Sequence, residues 1–271
     1  MKVAVITGAA SGIGLALTKG YLQKGVQVVM VDIDSHNLKQ QASELKKQYP
    51  SQILEIICDV RDKDSVAQLI NQVERVDWIY NNAGIVGDLS PVWELDTANI
   101  HRVMEVNLYG MINLIQAFTP LLFKQNFRSH IINMASMYAL CTGSQMASYS
   151  MSKHAVLALS ESLYFDLTRL DKPVDVSVVF PSFTDTALLS KSSSTNQKFH
   201  QSLNALLSHS KPAEDVALHI MQEVENKVFF ILPDKEVKAY CEERTQSIIL
   251  QEEPHKNTIE KLMNSLMKRA G

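Results

Sequence analysis

Seven short runs of aliphatic and β-branched residues recur along the chain, at 3–6, 26–31, 53–57, 76–80, 130–134, 174–180 and 228–232. Most are continuously apolar and do not alternate polar with apolar positions. A strand tolerates that only when both of its faces are covered, as in a parallel sheet. Amphipathic stretches separate the runs, for example 37–49 and 64–73. Parallel neighbours require such crossovers. The pattern predicts an α/β chain, a doubly wound parallel sheet of about seven strands with helices on both faces and right-handed connections.

Composition removes several function classes. Charged residues make up 20% and hydrophobic residues 46% of 271 residues, with a net charge of −3. Such a chain can bury roughly three quarters of its unfolded surface, so it is globular and not disordered. Its near-neutral balance offers no clustered basic field for nucleic acid. Cys58, Cys141 and Cys241 are too few and too scattered for a disulfide framework or a CxxC zinc site. His101, His130 and His219 have no metal spacing with one another or with Asp or Glu. A reduced, cytoplasmic setting follows from the cysteine usage. No apolar run approaches the ~20 residues of a bilayer span. The apolar N-terminus runs straight into a glycine-rich turn, so it reads as a first strand and not as a signal peptide.

That turn is Thr7-Gly8-Ala9-Ala10-Ser11-Gly12-Ile13-Gly14. Glycines allow a tight turn whose backbone approaches a pyrophosphate closely, and the helix that follows offers free N–H groups to the anion. Placed directly after the first strand, the motif points to a bound dinucleotide and a Rossmann-like sheet, although the spacing is Gly-x3-Gly-x-Gly and not GxGxxG. The second run ends at Asp32, 18 residues past Gly14. An acid there accepts hydrogen bonds from both adenosine ribose hydroxyls and repels the 2′-phosphate of NADP. No Arg or Lys sits in the turn, and Ile33 follows Asp32. The expected cofactor is therefore NAD. The competing reading of Asp32 is a turn or helix-capping residue.

Tyr149 and Lys153 lie at i, i+4 on a helix expected to begin near Ser148, so they share a face. A tyrosine pKa of about 10 is too high for proton transfer near neutrality, and an adjacent ammonium favours the phenolate. Ser136 closes the fifth run, 13 residues before Tyr149, and Asn81-Asn82-Ala83-Gly84 closes the fourth. All reach the carboxyl edge of the sheet, where open α/β sheets bind ligands. Asn107 falls inside the helical stretch 98–124. A mid-helix Asn often satisfies a backbone group, a job compatible with a place in catalysis.

With these residues the chain resembles the short-chain dehydrogenase/reductase family, in its compact single-domain branch, over residues 1 to about 232. The resemblance rests on the 7–14 turn, Asp32, Asp59-Val60, Asn81 to Gly84, Asn107, Ser136, Tyr149 with Lys153, and Pro181 leading to Thr186. It implies that Tyr149 is the general acid/base. Lys153 would depress the Tyr149 pKa and hold the nicotinamide ribose. Ser136 would hydrogen-bond the substrate oxygen, and Asn107 would hold a water in a proton relay through Lys153. For the cofactor it implies Gly8, Ser11, Gly12, Ile13, Gly14, Asp32, Asp59, Val60, Asn82, Ala83, Gly84, Tyr149, Lys153, Pro181, Thr184 and Thr186, with Thr184 and Thr186 gripping the carboxamide. Ser182 stands where the family usually has Gly, and Thr184 where it often has an apolar residue. The family commonly forms homodimers and homotetramers through the helices bearing Asn107 and Tyr149.

The expected activity interconverts a secondary alcohol and a ketone with NAD. An NADPH-linked carbonyl reductase competes, disfavoured by Asp32. So does an NAD-binding regulator without turnover, disfavoured because it has no need of Asn107, Ser136, Tyr149 and Lys153 together. Residues 1–271 read as a single domain with a substrate loop, 182–211, and a helical extension, 236–271. The loop carries Phe183, Leu188, Leu189, Phe199, Leu203, Leu206 and Leu207, and the 136–149 loop adds Met137, Tyr138, Leu140, Cys141 and Met146. Neither segment contains Arg, the residue suited to a carboxylate or phosphate. The pattern suggests an uncharged, lipophilic substrate. The alternative is that these side chains only pack the loop onto the body, with Cys141 as a small buried hydrophobe. Ser190 to Asn196 is expected to be a mobile surface loop. Ile259, Leu262, Met263, Leu266 and Met267 form one apolar face in the extension. That face either docks on its own domain or meets another subunit.

Overall fold

The computed structural model describes residues 1–185, 188–189, 192, 194, 196–207 and 209–270, without the side chains of 206, 269 and 270. The apolar runs become β1 Val3–Thr7, β2 Gln27–Asp32, β3 Ile53–Ile57, β4 Trp78–Asn81, β5 Ser129–Met134 and β6 Val174–Val179. Two short strands, β7 Thr184–Asp185 and β8 Lys211–Pro212, pair with each other, and β9 Phe230–Ile231 completes the main sheet. The sheet order is β3-β2-β1-β4-β5-β6-β9, with every pairing parallel. The chain reverses its winding direction between β1 and β4, which opens a crevice beyond their carboxyl ends.

The helices are α1 Gly12–Gln23, α2 Ser35–Lys46, α3 Lys63–Ile70, α4 Thr97–Met104, α5 Gly110–Lys124, α6 Ala147–Arg169, α7 Gln197–Leu207, α8 Ala213–Glu225, α9 Lys235–Leu250 and α10 Thr258–Ala270. Capping explains why α2 and α3 begin ahead of their apolar pattern. Asp34 accepts from the Asn37 N–H and Asp62 from the Asp64 N–H, satisfying donors that the first turn leaves free.

The continuously apolar strands divide their side chains between two cores. Val3, Val5, Val29, Val31, Ile131, Val176 and Val178 join the core on the α5 and α6 face. Ala4, Ile6, Val28, Met30, Ile132 and Val179 join the one under α1 and α8. By length and composition, the helical stretch Thr97–Lys124 would suffice to cross a bilayer. Instead it buries Leu114, Phe118 and Leu122 in the first core.

Thr7 ties the crevice together. Its hydroxyl donates to the Tyr80 carbonyl at 3.2 Å and accepts from the N–H groups of Asn82 and Ala83 at 3.0 Å each. Thr7→Val keeps the shape and leaves two strand-end N–H groups without a partner. We expect a loss of about 2–4 kcal/mol from two such groups, read by urea denaturation.

Candidate active site

The turn after β1 is close-packed. Gly8 and Gly12 have φ of +65° and +52°, which disfavours any side chain. A Cβ on Gly14 would lie 2.2 Å from the Gly8 carbonyl oxygen. Ser11 precedes α1 without capping it through its side chain. The Asn82 amide reaches back across the crevice to the Thr7 carbonyl at 2.8 Å. A cleft of about 370 Å³ lies against this turn, lined by Gly8, Ser11, Gly12, Ile13, Asp32, Asp59, Val60, Asn82, Ala83 and Gly84.

The Asp32 carboxylate faces the cleft and accepts from the N–H groups of Ala10 (3.0 Å) and Asp34 (2.9 Å). The turn-bracing reading of Asp32 is therefore met by these two bonds, and the same carboxylate lines the cleft. Sequence reasoning missed two cations on the same cleft, Arg61 and Arg102. Arg61 is held by Asp59, whose carboxyl it keeps below the usual range. Arg102 lies 3.9 Å from Asp88.

A second, apolar cavity of about 130 Å³ adjoins the cleft, with Ile13, Asn82, Gly84 and Leu188 lining both. Ser136, Tyr149, Lys153, Pro181 and Thr184 converge on it. The rest of its wall divides the lipophilic side chains singled out from sequence. Met137, Tyr138, Met146, Phe183, Leu188, Leu189 and Leu207 line it. Phe199 and Leu203 pack α7 into the core, and Leu140 is partly buried against the same core. Cys141 is buried outside this cavity, its thiol 3.4 Å from the Met137 carbonyl. Thr186 lies outside the described residues, as do residues 190, 191, 193 and 195 of the serine-rich stretch and the side chain of Leu206.

Lys153 is buried, and its ammonium donates to the Met134 carbonyl at 2.8 Å, 5.5 Å from the Tyr149 ring centroid. Gly84 lies close to Lys153 and Asn107, since a Cβ there would be in ordinary contact with Lys153 Nζ at 3.6 Å and tight against Asn107 Oδ1 at 3.2 Å. Burial holds the Lys153 pKa down at about 8. Burial also pushes the Tyr149 phenol up to about 12, against the opposing pull of a hydrogen bond from Ser136. From sequence, the Lys153 charge lowers the Tyr149 pKa. In the structure desolvation dominates the tyrosine, only the Ser136 hydrogen bond opposes it, and desolvation weakens the lysine's own charge as well.

Asn107 sits in a π-helical turn, Glu105–Tyr109, that interrupts the single helix expected over 98–124. Its side chain donates to the Ile85 carbonyl and to Ser152 Oγ, both at 2.9 Å, and accepts from the Ile85 N–H at 2.8 Å. With both amide protons committed, the side chain joins the loop after β4 to α6.

Asp234, which no sequence motif marks, fixes the base of the 182–211 segment. It accepts from the Ser182 N–H at 3.0 Å and from the Lys211 ammonium at 3.2 Å. The two ends of 182–211 are thereby held together, and Ser182 occupies the usual Gly position with its N–H satisfied.

A family model described as short chain dehydrogenase matches residues 2–197. The chain belongs to the short-chain dehydrogenases. Membership makes it an oxidoreductase of CH–OH groups that binds NAD or NADP. It is 37% identical over 193 residues to 1-deoxy-11-beta-hydroxypentalenate dehydrogenase of Streptomyces exfoliatus, covering 69% of each chain. It is 31% identical over 195 residues to human 15-hydroxyprostaglandin dehydrogenase [NAD(+)], covering 69% of this chain and 70% of that one. A crystal structure of a short-chain dehydrogenase/reductase from Burkholderia phymatum in complex with NAD superposes with a TM-score of 0.89 at 28% identity, over 94% of this chain and 97% of that one. The family match ends at residue 197, so α8, α9 and α10 lie beyond it.

The two shifted groups give this dehydrogenase a pH signature. Folded Lys153 binds fewer protons than unfolded lysine between pH 8 and 10.5, so its contribution to stability rises with pH across that window. Folded Tyr149 binds more between pH 10 and 12, so its contribution falls there. Lys153→Met removes the first effect, worth about 3 kcal/mol below pH 8. The melting temperature of Lys153→Met minus that of the unmodified protein should decrease as pH rises from 7 to 10. A difference independent of pH would contradict the burial effect.

Proposed function

We propose that this dehydrogenase interconverts an uncharged, lipophilic secondary alcohol and its ketone with NAD. The observation that carries the reading is the convergence of Ser136, Tyr149 and Lys153 on an apolar cavity that joins the glycine-lined cleft. NAD fits the residues present. Gly8, Gly12 and Gly14 leave room for a pyrophosphate at the start of α1. Asp32 would take the adenosine ribose, and Asp59, Val60, Asn82, Ala83 and Gly84 would flank the adenosine. Pro181 and Thr184 would border the nicotinamide. When bound, the nicotinamide supplies the hydride acceptor or donor.

Tyr149 takes the hydroxyl proton in oxidation and returns it to the carbonyl oxygen in reduction. Ser136 holds that oxygen, and Lys153 supports the phenolate and the nicotinamide ribose. Asn107 keeps Ile85 and Ser152 in register beside them. NAD is favoured over NADP because Asp32 would face the 2′-phosphate and because Arg61 is already paired with Asp59. The hydroxypentalenate and hydroxyprostaglandin dehydrogenase relatives support a lipophilic carbon skeleton, and the lack of Arg in 136–149 and 182–211, not the relatives, is what supports an uncharged one. Tyr109, Met151, Tyr164 and Phe165 are exposed at the start of α5 and along α6, which supports a homo-oligomer. Cys58, Cys141 and Cys241 are unpaired, which suits the reducing cytoplasm. We read the whole of 1–271 as one catalytic domain.

NADH formation across a panel of medium-chain, alicyclic and steroid-like alcohols, sugars and hydroxy acids tests the reading. The lipophilic alcohols should give the highest kcat/KM. NAD should exceed NADP by at least about tenfold, ~1.4 kcal/mol. Equal use of both cofactors, or a preference for hydroxy acids, would overturn the finer assignment. Tyr149→Phe should lower turnover by at least ~10², a general acid/base contribution, while NADH binding measured by fluorescence stays near that of the unmodified protein. Retention of more than about a tenth of the activity would move the proton-transfer role elsewhere.

A further inference from the structure

We propose that Glu260, on the C-terminal helix α10, is a positioning residue that sets the wall of the substrate cavity by gripping Ser144. The inference rests on assigning that cavity to the substrate. The Glu260 carboxylate accepts from the Ser144 N–H at 2.7 Å and from the Ser144 hydroxyl at 3.1 Å to each oxygen. A third donor, the Asn264 amide, reaches Oε1 at 2.8 Å. Asn257 accepts from the Glu260 N–H at 2.8 Å and so anchors the start of the helix. Hydrogen bonds to a charged acceptor are among the stronger ones in proteins, and three donors leave the carboxylate little freedom to swing.

The neighbours of Ser144 show what the grip controls. A Cβ on Gly143 would lie 3.1 Å from Glu260 Oε2, so the approach depends on glycine there. Gln145 has φ of +68°, a left-handed conformation that a non-glycine residue holds only when its surroundings enforce it. Met146 follows and lines the cavity, as do Met137 and Tyr138 earlier in the same loop. The Tyr138 ring meets the Tyr149 ring edge-on, with centroids 6.0 Å apart. A carboxylate outside the cavity thus fixes a strained turn whose next residue is cavity wall.

The same helix braces the opposite wall. Ile259, Met263 and Leu266 are buried in the core that holds Tyr138, Tyr149, Phe199, Leu203 and Leu207, and α10 packs on α7. The apolar face of the extension therefore docks on its own chain. None of the cleft-lining residues around the glycine turn belongs to α10. Loss of the grip should consequently be felt on the substrate side alone.

The test uses the full-length protein with Glu260→Gln, Ser144→Ala and the double substitution. With saturating NAD and a medium-chain secondary alcohol, Glu260→Gln should raise KM for the alcohol about tenfold, the size of one charge-assisted hydrogen bond. Its kcat and its NADH dissociation constant should stay close to those of the unmodified protein. The double substitution should cost less than the sum of the two single ones, because both weaken one contact, Ser144→Ala through the hydroxyl alone with the Ser144 N–H bond kept. A second readout needs no substrate. In the NADH-bound protein, amide exchange at 144–146 should accelerate in Glu260→Gln while the amides of 8–14 keep their rates. An unchanged KM, a KM and NADH dissociation constant that rise together, or unchanged exchange at Ser144 would overturn the proposal. If no alcohol in the panel is turned over, the assignment of the activity fails, and the exchange measurement still decides whether Glu260 holds the loop.

Discussion

Lys153 is a cation taken out of water and given one carbonyl, that of Met134, at 2.8 Å. Placing it there demands a particular arrangement of the surrounding chain. Met134 is the last residue of β5, so the lysine reads the end of the central sheet directly. Gly84, after β4, lets its loop come close to Asn107, and the π turn at Asn107 joins that loop to Ser152, the residue before Lys153. Desolvation strains both members of the Tyr149–Lys153 pair and leaves each with a pKa moved toward its uncharged form. That is the kind of perturbation expected where a proton is to be exchanged, and it opposes stability.

The sheet was legible because β1, β2, β5 and β6 bury both faces, which leaves few alternatives to a parallel arrangement. Their side chains divide between two cores in strict alternation. Strand ends were less legible: the fourth and seventh runs shorten to Trp78–Asn81 and Phe230–Ile231. Ser136, Tyr149, Lys153 and the 7–14 turn could be placed together from order and spacing alone, since each closes a strand or opens a helix at one edge. The π turn at Asn107 could not, because its cause is tertiary. The Asn107 amide binds Ile85 and Ser152, which no local pattern announces.

Burial was also invisible in the sequence. Tyr-x-x-x-Lys spacing suggests a lysine that lowers a tyrosine pKa, and only the fold reveals that desolvation dominates both groups. The long-range carboxylates were missed for a related reason. Asp234 joins Ser182 to Lys211, and Glu260 reaches Ser144 from 116 positions away. An isolated acid in a helix or turn carries no such signal. Together they fix the loop base and the wall of a cavity that the sequence could describe only as lipophilic.

In the proposed mechanism Tyr149 exchanges the substrate proton despite a phenol that burial makes reluctant to ionise. The most direct measurement is a titration of 13Cζ-labelled tyrosine by NMR, with Tyr149 assigned by comparison with Tyr149→Phe, in the free and the NAD-bound protein. The account predicts a Tyr149 resonance that stays protonated past pH 10 in the free protein and titrates within a few pH units of neutrality once NAD is bound, as an acid/base group must. A Tyr149 phenol still fully protonated at pH 10 with NAD bound would contradict it.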